Sequence, residues 1–439
     1  MSSYATFYKP PSPLPSNSSG YIMKQEPSNL ATMIVNIPAT ATRVMYLSKD
    51  SLNVANAVVG TYFEPTAPWT GVGSRPLVSM APGTMGQGDQ CAPSRLFNQV
   101  VFCGGQKNIM AEYQAGNVKA KVEAGMAVFV TDYENMGTRF ATGKAPTFAN
   151  RLAQGHAVID GAKAALNLAG TSLTSSSKII FWGYDQGAGA AGAAAELLNA
   201  YAPTSGAWNP TRVVGAYLGS PPANLFDLLT NLDASVMVGV VAYLINGWKV
   251  TYPANVSAIN AAMTPLGTSW LVNSQNMCAV ETGMTYGFKS FAPLFVGCTT
   301  EDDVIRLMNR EPFRTMIADQ NLGTVVNNCP VMIGINPNDP FTSFVSAATL
   351  AQQWHVLGGD VQLFTSTVAV PTLGLSRTGL IHYLQVQTDD ATSLAWCTDR
   401  FNGVATTPNP EFVGTSYTGT ATLAMVAASA SSANWVAIP

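Results

Sequence analysis

The chain has 439 residues, 47% of them hydrophobic and only 11% charged, and its 22 basic and 25 acidic side chains give a formal net charge of -3. So weak a field excludes binding to a nucleic-acid backbone, and the composition is that of a compact globular protein with a large core. The longest apolar run, Val236 to Ile245, is interrupted by Gly239 and falls short of the roughly 18 to 20 residues that cross a bilayer, so no transmembrane segment is expected.

The N-terminus, Pro/Ser-rich from Pro10 to Ser19, lacks the basic and apolar regions of a signal peptide. Asn-x-Ser sequons at Asn17 and Asn255 and six cysteines favour a secreted, disulfide-bonded glycoprotein whose leader has been removed, with a cytoplasmic protein as the alternative. Cys91, Cys103, Cys278, Cys298, Cys329 and Cys397 form no CxxC pair and have no histidine at metal spacing. A metal or other cofactor is therefore not expected, and up to three disulfides remain open in any of fifteen pairings.

In chain order, short β-branched runs bounded by turn residues predict strands at Thr32 to Asn36, Arg43 to Leu47, Val58 to Phe63 and Pro76 to Met80. Their short connections suggest antiparallel hairpins. Further strands are predicted at Met126 to Thr131, Lys178 to Trp182, Val213 to Leu218, Pro330 to Ile335 and Val361 to Thr365, alternating with helices at Phe148 to Leu168, Gly187 to Ala200 and Phe344 to Leu357. That alternation implies an α/β fold, a mostly parallel sheet covered by helices on both faces. Between Ser220 and about Arg310 it stops, and apolar helical sequence broken by Gly247, Pro253 and Pro265 reads as an inserted cap. The expected organisation is an N-terminal extension at 1–30, a core at 31–219, a helical cap at 220–312, the rest of the core at 313–405 and a tail at 406–439.

The sharpest local signal is Lys178 to Ala190, where a buried strand runs into a small-residue helix through Gly183-Tyr184-Asp185-Gln186-Gly187. This is the context of a nucleophile elbow, whose glycines let strand and helix approach. Asp185 stands at its centre. The bland alternative is that the glycines serve packing alone and that Asp185 caps the helix. An α/β-hydrolase also needs an acid and then a histidine, each after a late strand. Asp339, in Asn336-Pro337-Asn338-Asp339-Pro340, supplies the acid, and His382, between the last strand and the last helix, supplies the base. His156 falls inside a helical pattern and His355 beside Trp354 in another, where a structural histidine is the plainer reading.

These residues resemble the secretory lipase family. The likeness is carried by Gly83-Thr84-Met85-Gly86 through Cys91-Ala92-Pro93-Ser94, by Thr131-Asp132-Tyr133-Glu134-Asn135-Met136-Gly137, by the elbow, by the Asp339 loop with Ala347 to Trp354, and by Asp399-Arg400-Phe401-Asn402-Gly403. It runs from about residue 30 to 405. It implies an α/β-hydrolase fold with a cap, an oxyanion site from Thr84 and the Gln186 backbone, the Asp339 and His382 pair, a Cys91 to Cys278 disulfide and a hydrophobic small-molecule substrate.

The family's elbow reads Gly-Tyr-Ser-Gln-Gly, so Asp185 replaces the nucleophilic serine. A carboxylate displaces at saturated carbon, as in the epoxide hydrolases of the wider superfamily. The leading expectation is therefore an epoxide-opening hydrolase acting on a hydrophobic substrate, polyketide secondary metabolites included, with Asp185 as nucleophile or base. Tyr133, Tyr184, Tyr243 and Tyr286 are unranked candidates for the acid or for substrate contact. The alternatives are an esterase or lipase with an altered elbow and a noncatalytic lipid-binding protein on a lipase scaffold. Nothing in the sequence bears on oligomeric state.

Overall fold

The computed structural model describes residues 6–30, 35–103, 108–206, 208–366 and 376–408. Its strands are β1 (Ile22–Pro27), β2 (Ala39–Lys49), β3 (Ala55–Pro65), β4 (Leu77–Ala81), β5 (Val101–Cys103), β6 (Asn108–Met110), β7 (Ala127–Thr131), β8 (Ile179–Tyr184), β9 (Val213–Gly219), β10 (Val331–Ile335) and β11 (Val361–Thr365). The principal helices are α1 (Ala115–Glu123), α2 (Arg151–Asn167), α3 (Gln186–Tyr201), α4 (Leu225–Leu232), α5 (Val240–Thr251), α6 (Pro265–Ser274), α7 (Ala279–Tyr286), α8 (Phe344–Val356), α9 (Leu380–Thr388) and α10 (Asp390–Asn402).

Nine strands make one sheet in the order β1-β2-β3-β7-β4-β8-β9-β10-β11, with β5 and β6 pairing separately. The first three strands and the β3–β7 pair are antiparallel, and from β7 to β11 every neighbour is parallel. Alternation of side chains explains how one sheet serves two cores. In β8, Phe181 packs with Phe129 and the alanines of α2 and α3, while Ile180 and Trp182 face the opposite layer with Val118 of α1 and Trp396 and Phe401 of α10. This is an α/β-hydrolase fold.

Two expectations need correction. The run at Pro76 to Met80 is not a hairpin strand: β4 lies parallel between β7 and β8, because long connections carrying α1 and then α2 return the chain to the same end of the sheet before each next strand. Val35 and Asn36 lie outside any strand, and 32–34 of that predicted run fall outside the described residues. The edge strand is instead β1, whose Lys24, Gln25 and Glu26 hide it from a β-branched pattern.

Between β9 and β10 the chain forms helices with an apolar cluster of their own, built on Leu228, Val241, Ile245, Trp248, Phe295 and Met316. The Val236 to Ile245 run is largely the core of this helical layer, since Val238, Val241, Tyr243 and Leu244 are buried within it. Among the described residues no helix is long and apolar enough to cross a membrane.

Candidate active site

The elbow lies where β8 turns into α3. A Cβ at Gly183 would come within 2.0 Å of the Gly187 carbonyl oxygen, and one at Gly187 within 2.0 Å of the Ala81 carbonyl oxygen. Both glycines are therefore required by the approach of α3 to β8 and β4. Asp185 between them has φ 54° and ψ -124°, backbone geometry that costs a non-glycine residue on the order of 1–3 kcal/mol. Its side chain makes no capping bond to α3, which removes the helix-cap reading. The fold holds this residue in a strained turn without using its carboxylate as a cap.

The carboxylate meets three groups. Thr84, on the loop after β4, donates to Asp185 Oδ2 from its backbone N–H at 3.2 Å and from its hydroxyl at 2.6 Å. His382 Nε2 stands 3.8 Å from Asp185 Oδ1. On the other side of the imidazole, His382 Nδ1 lies 2.7 Å from Asp339 Oδ2. Asp339 follows β10, and its Oδ1 accepts from the backbone N–H groups of Phe341 (2.9 Å) and Thr342 (3.1 Å). Those bonds fix the acid, which in turn orients the ring.

The electrostatics are those of a coupled pair. Burial alone would raise the Asp339 pKa, but the charge and hydrogen bond of His382, with the two backbone donors, hold it below the usual carboxylate range. Burial would lower the pKa of His382, yet the Asp339 carboxylate, the hydrogen bond between them and the Asp185 charge leave it raised. His382 sits in the first turn of α9, not on a loop, and α10 follows it. Its position is set by the helix and by the rings of Phe341 and Tyr184, 5.2 Å and 5.1 Å away.

Residues 106–409 match the secretory lipase family. The chain belongs to that family. Among its relatives, a Mycobacterium tuberculosis protein named "Probable inactive lipase" is 25% identical over 434 residues, covering 96% of this chain and 89% of that protein. A secreted triacylglycerol lipase of Malassezia globosa is 25% identical over 319 residues, 72% of this chain and 61% of that lipase. The fold is shared with lipase A of Candida antarctica, with a TM-score of 0.72 and 19% identity over 93% of this chain and 88% of that one. Membership of a secretory family with relatives named as secreted supports the expectation of export.

In this secretory lipase-family chain the helical layer between β9 and β10 is tied to the segment after β4 by a disulfide between Cys91 and Cys278, with Cα atoms 5.4 Å apart. Backbone pairing reinforces the tie: Ala279 N–H donates to Met85 O at 2.8 Å and Gln87 N–H to Met277 O at 3.0 Å. Gly86, at φ 125°, passes so close to Cys278 that a Cβ would lie 2.6 Å from its Cα. A three-disulfide framework does not form, since Cys298, Cys329 and Cys397 are free thiols. Gln186 opens α3 directly after Asp185 and is largely buried.

Three of the four tyrosines proposed from sequence have hydroxyl partners, whereas the Tyr286 hydroxyl is buried without one. Tyr133 donates to Pro82 O and Tyr184 to His382 O, each at 2.6 Å. Tyr243 bonds Thr282 within the helical layer, and Tyr286 stacks on Trp270. His156 is buried in α2 and stacked on Tyr201, and His355 is exposed on α8. Sequence reasoning missed three residues beside the elbow. Gln114 accepts the Gly83 N–H at 2.6 Å and so anchors the Thr84 loop. The Tyr113 hydroxyl occupies the space where a Gly83 Cβ would stand, 1.8 Å from that position, and the Tyr113 and Tyr383 rings meet edge to face at 6.2 Å. For Tyr383 the available signal was adjacency to His382; Tyr113 and Gln114 had none.

Proposed function

We propose that this chain is a hydrolase for an apolar, lipid-like small molecule in which Asp185 replaces the serine chemistry of its family, and that the bond it opens is a C–O bond of an epoxide. Family membership alone points to ester hydrolysis, and the named relatives favour a lipase or esterase. The argument for a different bond is the carboxylate. Its attack on an ester carbonyl gives an adduct that expels the carboxylate far more readily than an alkoxide, so the acyl-enzyme route returns to reactants. The same carboxylate displaces an alkoxide from strained saturated carbon, leaving an alkyl ester on the enzyme.

The observation that carries this reading is the asymmetry of the Asp185 carboxylate, with Oδ2 cradled by both Thr84 donors and Oδ1 facing His382 across 3.8 Å. Oδ1 attacks the epoxide carbon as the ring C–O bond breaks. Water then attacks the Asp185 carboxyl carbon while His382 Nε2 takes its proton, and negative charge develops on Oδ2 against the Thr84 donors. Collapse breaks the bond between the Asp185 carboxyl carbon and the ester oxygen, that diol oxygen takes the proton from His382, the oxygen released by ring opening takes the second proton of the water, and the carboxylate is regenerated. If an internal hydroxyl attacks instead, Asp185 acts as base and the product is a cyclic ether.

The second reading is a lipase or esterase in which His382 activates water without a covalent intermediate, or lipid binding without chemistry. The relative named "Probable inactive lipase", aligned over 96% of this chain, favours it. Against direct ester hydrolysis, Asp185 itself occupies the Thr84 donors that an ester oxyanion would need. The test uses His382→Gln with trans-stilbene oxide and 9,10-epoxystearate as probes. Intact-mass spectrometry should show an adduct of the whole probe that maps to Asp185. No adduct with either probe, together with wild-type turnover of long-chain p-nitrophenyl esters, would overturn the proposal in favour of an esterase.

A further inference from the structure

An acid and a base that work together must keep their separation, and in this chain they come from different elements. Asp339 lies on the turn after β10, and His382 comes 43 positions later in the first turn of α9. The bond between Asp339 Oδ2 and His382 Nδ1, at 2.7 Å, is one link of a larger ring. Gln385 lies one turn beyond His382 on the same face of α9. It is completely buried, and its Oε1 accepts the Asn336 N–H at 3.1 Å and the Ser220 hydroxyl at 3.0 Å. Asn336 opens the acid turn: its carbonyl accepts the Asp339 N–H at 3.0 Å and its Oδ1 the Asn338 N–H at 2.9 Å. The path from His382 through Asp339, Asn336 and Gln385 thus closes on itself across a single turn of α9. We propose that Gln385 is a positioning residue that ties the His382 helix to the Asp339 turn and so sets the distance between base and acid, an inference that rests on the roles assigned above to Asp339 and His382 and not on which bond the enzyme opens.

The surroundings show why such a tie is needed. α9 opens at Gly379, φ 73°, with no side-chain cap bond, so capping does not fix the turn that holds His382. Tyr184 fixes one side of that turn, its hydroxyl donating to His382 O at 2.6 Å. Gln385 fixes the other by reaching the sheet. Ser220 follows β9, is completely buried at φ 48°, and donates its N–H to Gly334 O of β10 at 2.7 Å. One oxygen atom of Gln385 therefore joins the ends of β9 and β10 to α9. An apolar side chain would supply no acceptor there, and asparagine falls one methylene short. Burial lowers the pKa of His382, while Asp339 and Asp185, 2.7 and 3.8 Å from its two ring nitrogens, raise it. The rings of Tyr184 and Tyr383 also face the imidazole, with phenols that burial keeps protonated. Drawing Asp339 away from His382 therefore lowers the histidine pKa, and a misplacement of about 1 Å can cost roughly 10²-fold in rate.

The experiment titrates isotope-labelled histidine side chains by heteronuclear NMR, where the chain's three histidines give few signals and His382→Gln identifies that of His382. Gln385→Met removes the acceptor at nearly constant volume. The His382 midpoint should fall below that of the otherwise unaltered protein, and in the Asp185→Ser background kcat for p-nitrophenyl butyrate should drop by about 10² with KM little changed. Gln385→Glu keeps an acceptor oxygen at the same reach, so it should not lower the midpoint and should restore most of kcat. Far-ultraviolet circular dichroism checks folding, and Gln385→Asn, which keeps an amide but withdraws it, should act as Gln385→Met does and keeps the test readable if the methionine variant fails to fold. An unmoved midpoint or an unmoved kcat in a folded Gln385→Met or Gln385→Asn protein would overturn the assignment, as would an equal fall in Gln385→Glu. An Asp185→Ser parent that is folded yet inert would overturn the roles of Asp339 and His382 themselves, a failure that the titration of His382 separates from failure of the tie.

Discussion

Asp185→Ser should turn the protein into an esterase. The substitution restores the family's elbow residue on a backbone already held at φ 54°, with Gly183 and Gly187 in place. Removing the carboxylate also frees the Thr84 N–H and hydroxyl, which now donate to Oδ2 at 3.2 and 2.6 Å. Loss of one oxyanion donor costs roughly 10²–10³ in kcat, about 3–4 kcal/mol. Asp185→Ser should therefore hydrolyse p-nitrophenyl butyrate or palmitate well above the wild-type background, and adding Thr84→Val should reduce that activity by about 10²–10³. A fluorophosphonate should label the serine variant stoichiometrically and leave the wild type unlabelled. A folded serine variant that is inert on both esters and unlabelled would refute the triad geometry assigned to Asp339 and His382. A Thr84→Val change without effect would refute the oxyanion role of the threonine hydroxyl.

The new esterase needs neutral His382, whose pKa is raised by Asp339 and by the Asp185 charge, so kcat/KM in Asp185→Ser should rise with pH as His382 loses its proton, through a midpoint below that of His382 in the wild type. Adding Asp339→Asn removes the contributions that raise this pKa while burial still lowers it, so the midpoint should move down and kcat should fall by on the order of 10⁴; an unmoved midpoint would show that His382 is not the titrating base. The disulfide closes a loop of 187 residues, so Cys91→Ala/Cys278→Ala should lose up to roughly 5 kcal/mol of stability, visible as a lower thermal midpoint; an unchanged midpoint would contradict that cross-linking role. Burial pushes Glu112 up to about 8 and Asp132 and Glu134 to about 7. Their contribution to stability is therefore full below about pH 4 and is lost as pH rises through 7 to 8. Glu112, whose Oε2 has no partner, should show it most clearly: Glu112→Gln should raise the thermal midpoint at pH 8.5 and leave it unchanged at pH 4, and an equal gain at both would point to packing rather than ionisation.

Much of the fold was legible because its signals are local. Runs such as Ile179 to Trp182 and Val331 to Ile335 carry strand propensity within a few residues, and the alternation of strands with helices permits few arrangements other than a parallel sheet. The elbow was legible for the same reason, since Gly183, Asp185 and Gly187 are neighbours in the chain, and their spacing reports a steric need that the Ala81 and Gly187 carbonyls make explicit. Asp339 and His382 could be nominated by their order after late strands. β1 and the direction of β4 were not legible, because an edge strand tolerates charge and strand direction depends on where a distant connection returns.

The amino-acid sequence by itself determined the family, the elbow and the chemical identity of its central carboxylate, because these reside in residue type and short spacing. Only the tertiary structure decided which groups that carboxylate meets. Thr84 and Asp185 are 101 positions apart, Asp339 and His382 are 43 apart, and Tyr113 comes from a segment with no motif at all. Contacts of such separation cost loop-closure entropy that only the packed sheet and its covering helices offset. The folded chain decided that the hydroxyls of Tyr133, Tyr184 and Tyr243 bond the Pro82 carbonyl, the His382 carbonyl and Thr282, and it brought the rings of Tyr113 and Tyr383 together.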